Sequence, residues 1–315
     1  MRRYNGWSGL APGDRRAAAA IGNFDGVHLG HQSVLALARA AAAERGAPFG
    51  VVTFEPHPRA FFRPQDPPFR LTDAAARARR LEKLGVEALY ELPFDATLAT
   101  LDAESFARQV LAEGLGLRHL VAGADFRFGK GRTGDVDLLR ALGPDLGFGV
   151  TVAPLVSAAG SDLSSTAIRA ALSAGRPEEA SRMLGHWHRI EGRVEHGDKR
   201  GRDLGFPTAN LGLGALHRPR YGVYATLVDV LDGPHAGRYA GAASIGERPT
   251  FGINAPNLEV HLLDFAGDLY GAAISVALVA FQRPEARFDS VPALLEQMRR
   301  DVVETRARLA AAGVA

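Results

Sequence analysis

A chain of 315 residues, 46% hydrophobic and 23% charged, has enough apolar material for two separate cores and the balance of an ordinary globular protein. A net charge of +2 and the lack of any long Lys/Arg block argue against a nucleic-acid-binding surface. The absence of cysteine excludes disulfides, thiol catalysis and Cys-ligated metal centres. With no signal-type apolar run in residues 1–13 and no bilayer-length apolar stretch, the expectation is a soluble cytoplasmic protein without membrane partners.

Strand-like and helix-like segments alternate through the first half. Residues 15–21 lead as a strand into a Gly-Asn-Phe-Asp-Gly turn, although alanine is a poor strand former. Residues 32–45 read as a helix closed by Gly46. Strands follow at 49–54 and 86–92, around a helix capped by Thr72 and ended by Gly85. Asp102 caps another helix, residues 119–121 and 148–156 supply two more strands, and 135–142 reads as the helix between them. This β-α-β-α order predicts a parallel, doubly wound sheet with ligands beyond the carboxyl ends of its strands. Two short helices at 166–173 and 177–184 come next, the second opened by Pro177. From about residue 185 the pattern becomes short strands punctuated by Gly, Pro and Asn: 190–195, 221–230, 238–245, 258–264 and 274–281. That spacing suggests an antiparallel barrel or sandwich. Ser290 caps a final amphipathic helix to about Ala311.

The first candidate site is the segment Gly22-Asn23-Phe24-Asp25-Gly26-Val27-His28-Leu29-Gly30-His31. Its two histidines straddle a helix start, where free N–H groups and the helix dipole attract anions. Imidazoles placed there donate hydrogen bonds to phosphoryl oxygens as charge builds in a transition state. Such a site suits in-line attack on the α-phosphorus of ATP, with Asn23 and Asp25 ordering the loop or helping to hold nucleotide and metal. The alternative is that both histidines merely cap and pack the helix. Residues 126–135 form a glycine-rich basic loop suited to phosphates. Its formal G-x-G-x-x-G match at Gly129, Gly131 and Gly134 lies too late in the domain for a dinucleotide fingerprint, and Gly131 follows Lys130 where a P-loop needs Ser or Thr. Ser165, Thr166 and Arg169 at a helix start suit either a cap or a triphosphate clamp. Phe54, Pro56, Pro58, Phe61 and Phe62 form an apolar wall fit to stack a flat ring, or simply to pack.

A second cluster lies downstream. Residues 197–205 are flexible and basic, as a flap over phosphates would be. Thr208 and Asn210 alternate on an extended segment, offering a hydroxyl and an amide oxygen to Mg²⁺ shared with phosphates. On 258–263, Leu258, Val260 and Leu262 share one face and Glu259 and His261 the other. Glu259 there is either an exposed strand residue or the acceptor of a proton from an attacking hydroxyl.

These motifs together resemble the bacterial bifunctional riboflavin kinase/FAD synthetase family over nearly the whole chain. The resemblance rests on residues 22–31, 54–58, 123–135 and 164–169 in the first half. In the second half it rests on 201–210, 221–225, 245–251 (Ile-Gly-Glu-Arg-Pro-Thr-Phe) and 258–271. It implies α/β plus β architecture: a Rossmann-like doubly wound nucleotidyltransferase domain over 1–184, then a six-stranded antiparallel β-barrel with a C-terminal helix over 185–315. It implies that the second domain phosphorylates riboflavin to FMN with ATP, and that the first adenylylates FMN to FAD and releases pyrophosphate. By the same resemblance His28 and His31 contact the ATP phosphates, with Gly22, Asn23, Phe24, Asp25, Gly30, Gly123, Asp125, Ser165, Thr166 and Arg169 completing that nucleotide site. Phe54, Pro56, Pro58, Phe62 and Phe128 would face the flavin. Gly197, Lys199, Arg202, Gly205, Pro207, Thr208 and Asn210 would hold the kinase nucleotide, Thr208 and Asn210 with Mg²⁺, and Glu259 would be the catalytic base. The partners are then small molecules, with no nucleic acid and room for a weak homo-oligomer. One departure is Ser244, where the family usually carries Asn.

Two other readings stay open at this point. One keeps only the first chemistry on another substrate, as in cytidylyl or pantetheine-phosphate adenylyl transfer, and leaves the Pro-Thr-Ala-Asn segment unexplained. The other is a non-catalytic flavin or nucleotide sensor, which predicts erosion of the reactive residues.

Overall fold

The computed structural model describes residues 1–155, 157–158, 161–196, 204–247 and 256–314. The chain folds into two units, one of Met1–Pro67 with Ala74–Leu163, and a second of Pro68–Asp73 with Ser164–Ala315.

The first unit is built on the all-parallel sheet that the β-α alternation predicts. Its strands are β1 (Arg2–Asn5), β2 (Ala18–Ile21), β3 (Phe49–Glu55), β4 (Ala88–Pro93), β5 (His119–Gly123) and β6 (Gly149–Ala153), in the order β1-β4-β3-β2-β5-β6. The order reverses at β2, which pairs with β3 on one side and β5 on the other. The chain leaving β2 therefore emerges at the topological switch point, where open α/β sheets hold ligands. Packing explains the alanine-rich strand. Ala18 and Ala20 face α1 (Leu29–Arg45), while Ala17, Ala19 and Ile21 face the core of Phe106, Val110 and Leu111. Both faces are dry, so small side chains that admit close helix packing outweigh low intrinsic strand propensity.

Helix α1 starts three residues earlier than its apolar periodicity suggests, because His28 itself caps it. It ends where expected, at Gly46 in the left-handed conformation. Two short helices precede and follow β4: α3 (Ala74–Lys83) and α4 (Ala96–Thr100), with α2 (Pro58–Phe62) directly after β3. Asp102 caps α5 (Ala103–Ser105), which continues as a π-helical segment, Phe106–Gly114. Asp135 caps α6 (Val136–Leu146) through its carboxylate, accepting from the amides of Asp137 and Leu138.

The second unit carries α7 (Ser165–Ser173), α8 (Pro177–Leu184) and a six-stranded antiparallel sheet. The two-stranded pair β7 (Ser157–Ala158) and β8 (Ser161–Asp162) belongs to the first unit, and the strands of the second unit's sheet are β9 (His188–Arg193), β10 (Ala209–Gly212), β11 (Gly222–Val230), β12 (Gly237–Glu247), β13 (Pro256–Leu262) and β14 (Ala273–Arg283). They run β10-β13-β12-β11-β14-β9. A bridge between Glu195, just after β9, and Asn210 in β10 brings the two edges together, with Glu195 N donating to Asn210 O at 2.9 Å. The sheet is thus a nearly closed barrel and not a sandwich. Leu211, Tyr224, Val228, Ile245, Leu258, Val260 and Leu278 fill its interior. Outside, Leu309 of α9 (Val291–Ala311) covers Ala225, Leu227, Ala277 and Val279. Two bonds from Arg283 to the Asp301 carboxylate, 2.8 and 2.7 Å, fix that helix. The segment Pro68–Asp73 belongs here through the Arg70–Leu216 bridge and the bond from His217 N to Arg70 O (2.7 Å).

Candidate functional site

In the first unit, residues 22–28 link the buried end of β2 to α1 through a loop held in an unusual shape. Phe24 (φ 51°) and Val27 (φ 44°) take left-handed backbone although neither is glycine. Such conformations cost roughly 1–3 kcal/mol each and cluster where function fixes geometry. Burial of Phe24, Asp25 and Val27 holds the turn in place. The outcome is that His28 and His31 stack face to face, ring centroids 3.6 Å apart and 20° from parallel. His28 Nδ1 accepts the amide of His31 at 3.3 Å, so the ring caps the helix. A side chain at Gly30 would meet the His28 ring at 3.1 Å, which explains glycine between the histidines. Burial, and then the neighbouring His28, push the His31 imidazole well below its ordinary titration range. The neutral ring is therefore the favoured form.

The aromatic wall forms on the neighbouring strand end. Phe61, Phe62 and Phe94 meet in edge contacts of 5.2 to 5.6 Å, and Phe54 meets Phe94 at 5.9 Å. Phe62 stays 64% exposed, an open apolar ring beside the strand end. The peptide between Glu55 and Pro56 is cis, and Pro58 opens α2 behind it. Phe94 was not singled out from the sequence; its place one residue beyond the apolar strand β4 is the signal that would have found it. Phe128 is buried against Phe106 and Phe126. The basic loop around it is cinched by a bridge between Phe128 and Gly134 and by an Arg127–Asp135 ion pair of 2.6 Å. Gly123 closes β5, and Asp125 lies exposed just past it.

In the second unit, Ser164 caps α7, with Ser165 and Thr166 in its first turn. Arg169, one turn on, donates to Phe69 O at 2.6 Å and lies over the Phe69 ring.

The barrel brings together the other predicted residues. Asn210 of β10 pairs directly with Glu259 of β13, which pairs with Ser244 of β12. Directly opposed residues share a face, so these three side chains form one row across three strands. The alternation read from the sequence holds: Leu258, Val260 and Leu262 are buried, while Glu259 and His261 are half-buried. Asn210 donates to Thr208 O at 3.3 Å, and Asn257 donates to the Glu259 carboxylate at 3.3 Å. His261 Nδ1 lies 2.9 Å from Pro207 O, with its ring against Phe206. The sequence departure at Ser244 therefore sits beside Glu259. Gly205 and Pro207 lead into this row; Gly197, Lys199 and Arg202, and the Arg-Pro-Thr-Phe motif, lie outside the described residues.

A switch-point histidine pair on a parallel sheet, followed by a barrel carrying an amide–carboxylate row, defines a two-domain nucleotide-using transferase. The family model described as FAD synthetase matches residues 11–167, and that described as Riboflavin kinase matches 184–309. A bifunctional riboflavin kinase/FMN adenylyltransferase of Pseudomonas fluorescens is 45% identical over 98% of this chain and 97% of its own length. The protein of that name from Escherichia coli K12 is 42% identical over 91% of this chain and 90% of its own, and that from Bacillus subtilis is 38% identical over 92% and 91%. The chain belongs to the bifunctional riboflavin kinase/FMN adenylyltransferase family. A crystal structure titled as a macrolide-efflux protein from Streptococcus pneumoniae matches with a TM-score of 0.83 and 31% identity, covering 97% of this chain and 99% of that one. Among the described residues no helix is long and apolar enough to cross a membrane.

Proposed function

We propose that this chain makes both flavin cofactors in sequence, with residues 1–184 acting as the FMN adenylyltransferase and residues 185–315 as the riboflavin kinase. The observation that carries the reading is one chain holding two separate sets: a stacked histidine pair at a helix start, and an amide–carboxylate row on a barrel.

In the kinase step the terminal ribityl hydroxyl of riboflavin attacks the γ-phosphorus of ATP. The bond from that phosphorus to the β-phosphate oxygen breaks, ADP leaves, and Glu259 accepts the hydroxyl proton. Thr208 and Asn210 supply oxygen donors of the hard, neutral kind that Mg²⁺ takes when it is shared with phosphates. The Asn210 amide nitrogen engages Thr208 O, which orients the group and fits that role. Bound there, Mg²⁺ would neutralise phosphate charge; Thr208 and Asn210 hold it and Glu259 moves the proton.

In the second step an FMN phosphate oxygen, already ionised, attacks the α-phosphorus of ATP and pyrophosphate leaves. No base is required. His28 and His31 donate to the phosphoryl oxygens as they gain charge, and the α1 amino terminus adds its dipole. Gly22, Asn23, Phe24, Asp25, Gly30, Gly123 and Asp125 shape the nucleotide site. The wall of Phe54, Pro56, Pro58 and Phe62, with Phe128 behind, takes the isoalloxazine ring. The protein works in the cytoplasm on small molecules.

The direct test is to incubate purified protein with riboflavin, ATP and Mg²⁺ and resolve the flavins chromatographically. FMN should rise first and FAD follow. Accumulation of FMN alone would reduce the reading to a kinase.

A further inference from the structure

The geometry points to Arg77 as a positioning residue for adenylyl transfer, one side chain that locks the nucleotide loop to the flavin wall. The inference rests on the adenylyltransferase reading of the first unit and adds a residue to it that touches neither substrate.

Arg77 lies on α3 and is completely buried. Its guanidinium bonds Glu55 at 2.9 Å and Glu91 at 3.3 Å. It also reaches two backbone oxygens, Asn23 O at 3.4 Å and Phe54 O at 3.5 Å. Glu91 is held from its other side by Arg3 at 2.7 and 3.1 Å, so two guanidiniums face two carboxylates and the charges cancel. Charge compensation accounts for the carboxylate contacts. It does not account for the two carbonyls, which contribute no net charge.

What those carbonyls belong to gives them meaning. Asn23 opens the loop that ends in the histidine pair, and its carbonyl also accepts from Thr53 Oγ1 at 3.2 Å. The next residues include two non-glycine positions in left-handed backbone, a shape that needs outside anchors to persist. Phe54 and Glu55 end the strand that carries the aromatic wall, and Glu91 sits in β4 ahead of Phe94. Arg77 therefore ties the ends of β2, β3 and β4 through one rigid planar group. A planar fork with five donors can make all four contacts at once, whereas an ammonium acts as a single point charge. If ATP lies on the β2 loop and the flavin on the β3 wall, Arg77 sets the distance between the attacking oxygen and the α-phosphorus. Misplacement by about 1 Å costs on the order of 100-fold in rate.

The test uses the full chain with Arg77→Met, Arg77→Lys and Thr53→Val, measuring kcat and KM for FMN-to-FAD conversion. Riboflavin phosphorylation and thermal unfolding on the same samples report the fold. Arg77→Met should lower adenylylation kcat about 100-fold, with KM for ATP and FMN within about threefold and phosphorylation unchanged. Arg77→Lys, which keeps the charge but not the fork that reaches both carbonyls, should recover little of that loss. Thr53→Val leaves the charges intact and should lower kcat about threefold; joined to Arg77→Lys, it should cost more than the product of the two, since both support one carbonyl. If Arg77→Met does not fold, Arg77→Lys and Thr53→Val decide the matter. Wild-type kcat in the folded variants, with only a lowered melting temperature, overturns the inference alone. A wild-type chain that makes no FAD overturns the adenylyltransferase reading and this inference with it.

Discussion

The two halves of the molecule solve neighbouring problems with opposite means. The first unit stacks two imidazoles 3.6 Å apart at a helix start, behind a strained loop. The second displays oxygen donors and a half-buried carboxylate on paired strands. The chemistry explains the contrast. A phosphate nucleophile is already charged, so its site needs only fixed donors, and burial strengthens them. A hydroxyl nucleophile must lose a proton, so on the proposed reading its site needs a base, the part given to Glu259.

The sharpest way to break this comparison is to remove the donors. Replacing His28 and His31 with Ala should lower FAD formation at least about 1,000-fold, with FMN formation unchanged, when the flavins are quantified. Next in size, Glu259→Gln should cut FMN formation by about 10²–10⁴-fold and leave added FMN converting to FAD at the wild-type rate. Equal damage to both reactions from either change would dissolve the division of labour. Asn210→Ala should act through the nucleotide, raising KM for ATP about tenfold and steepening the Mg²⁺ dependence of phosphorylation, measured by titration.

Smaller effects sharpen the picture. Because His261 Nδ1 meets Pro207 O, His261→Asn, which offers a donor at a similar position, should stay within about threefold of wild-type kinase activity, and His261→Gln should fall further. A pH effect on stability belongs to His188, buried beside His186 and His217 and held down to about 3. Its folded value lies below its unfolded one, so the neutral ring favours the native state. That contribution is complete above pH 6.5 and drains away as pH falls towards 3, by up to about 1.4 kcal/mol per pH unit. His188→Leu should flatten this slope in denaturant titrations.

Much of the architecture was legible because local chemistry marks it. Gly46, Asp102 and Ser290 sit at the helix ends they signalled, and Pro177 opens α8. What the sequence hid depends on distant partners. β1 is a polar Arg-Arg-Tyr-Asn segment that becomes a strand only by pairing with β4. Helix α6 runs on to Leu146, past the expected stop at Leu142, with Pro144 accommodated in its last turn and Gly147 capping it. The π-helical run at Phe106–Gly114 reads like any helix. At the sites, the residue types were visible but their meetings were not. The i, i+3 spacing hinted that His28 and His31 adjoin, yet their stacking depends on His28 being the cap. Asn210 faces Glu259 only through a register set between strands far apart in the chain. Intact reactive groups at both places weigh against a non-catalytic sensor, and the Riboflavin kinase match over 184–309 removes the reading that left the second half unexplained.

The central claim is that one chain directs attack at two different phosphorus atoms of ATP. The most direct measurement supplies riboflavin with ATP labelled at either the α- or the γ-phosphorus and follows the label into purified flavins. The account predicts γ-label alone in FMN and, in FAD, γ-label on the flavin side and α-label on the adenosine side. Label from only one of the two positions in every flavin product would contradict it.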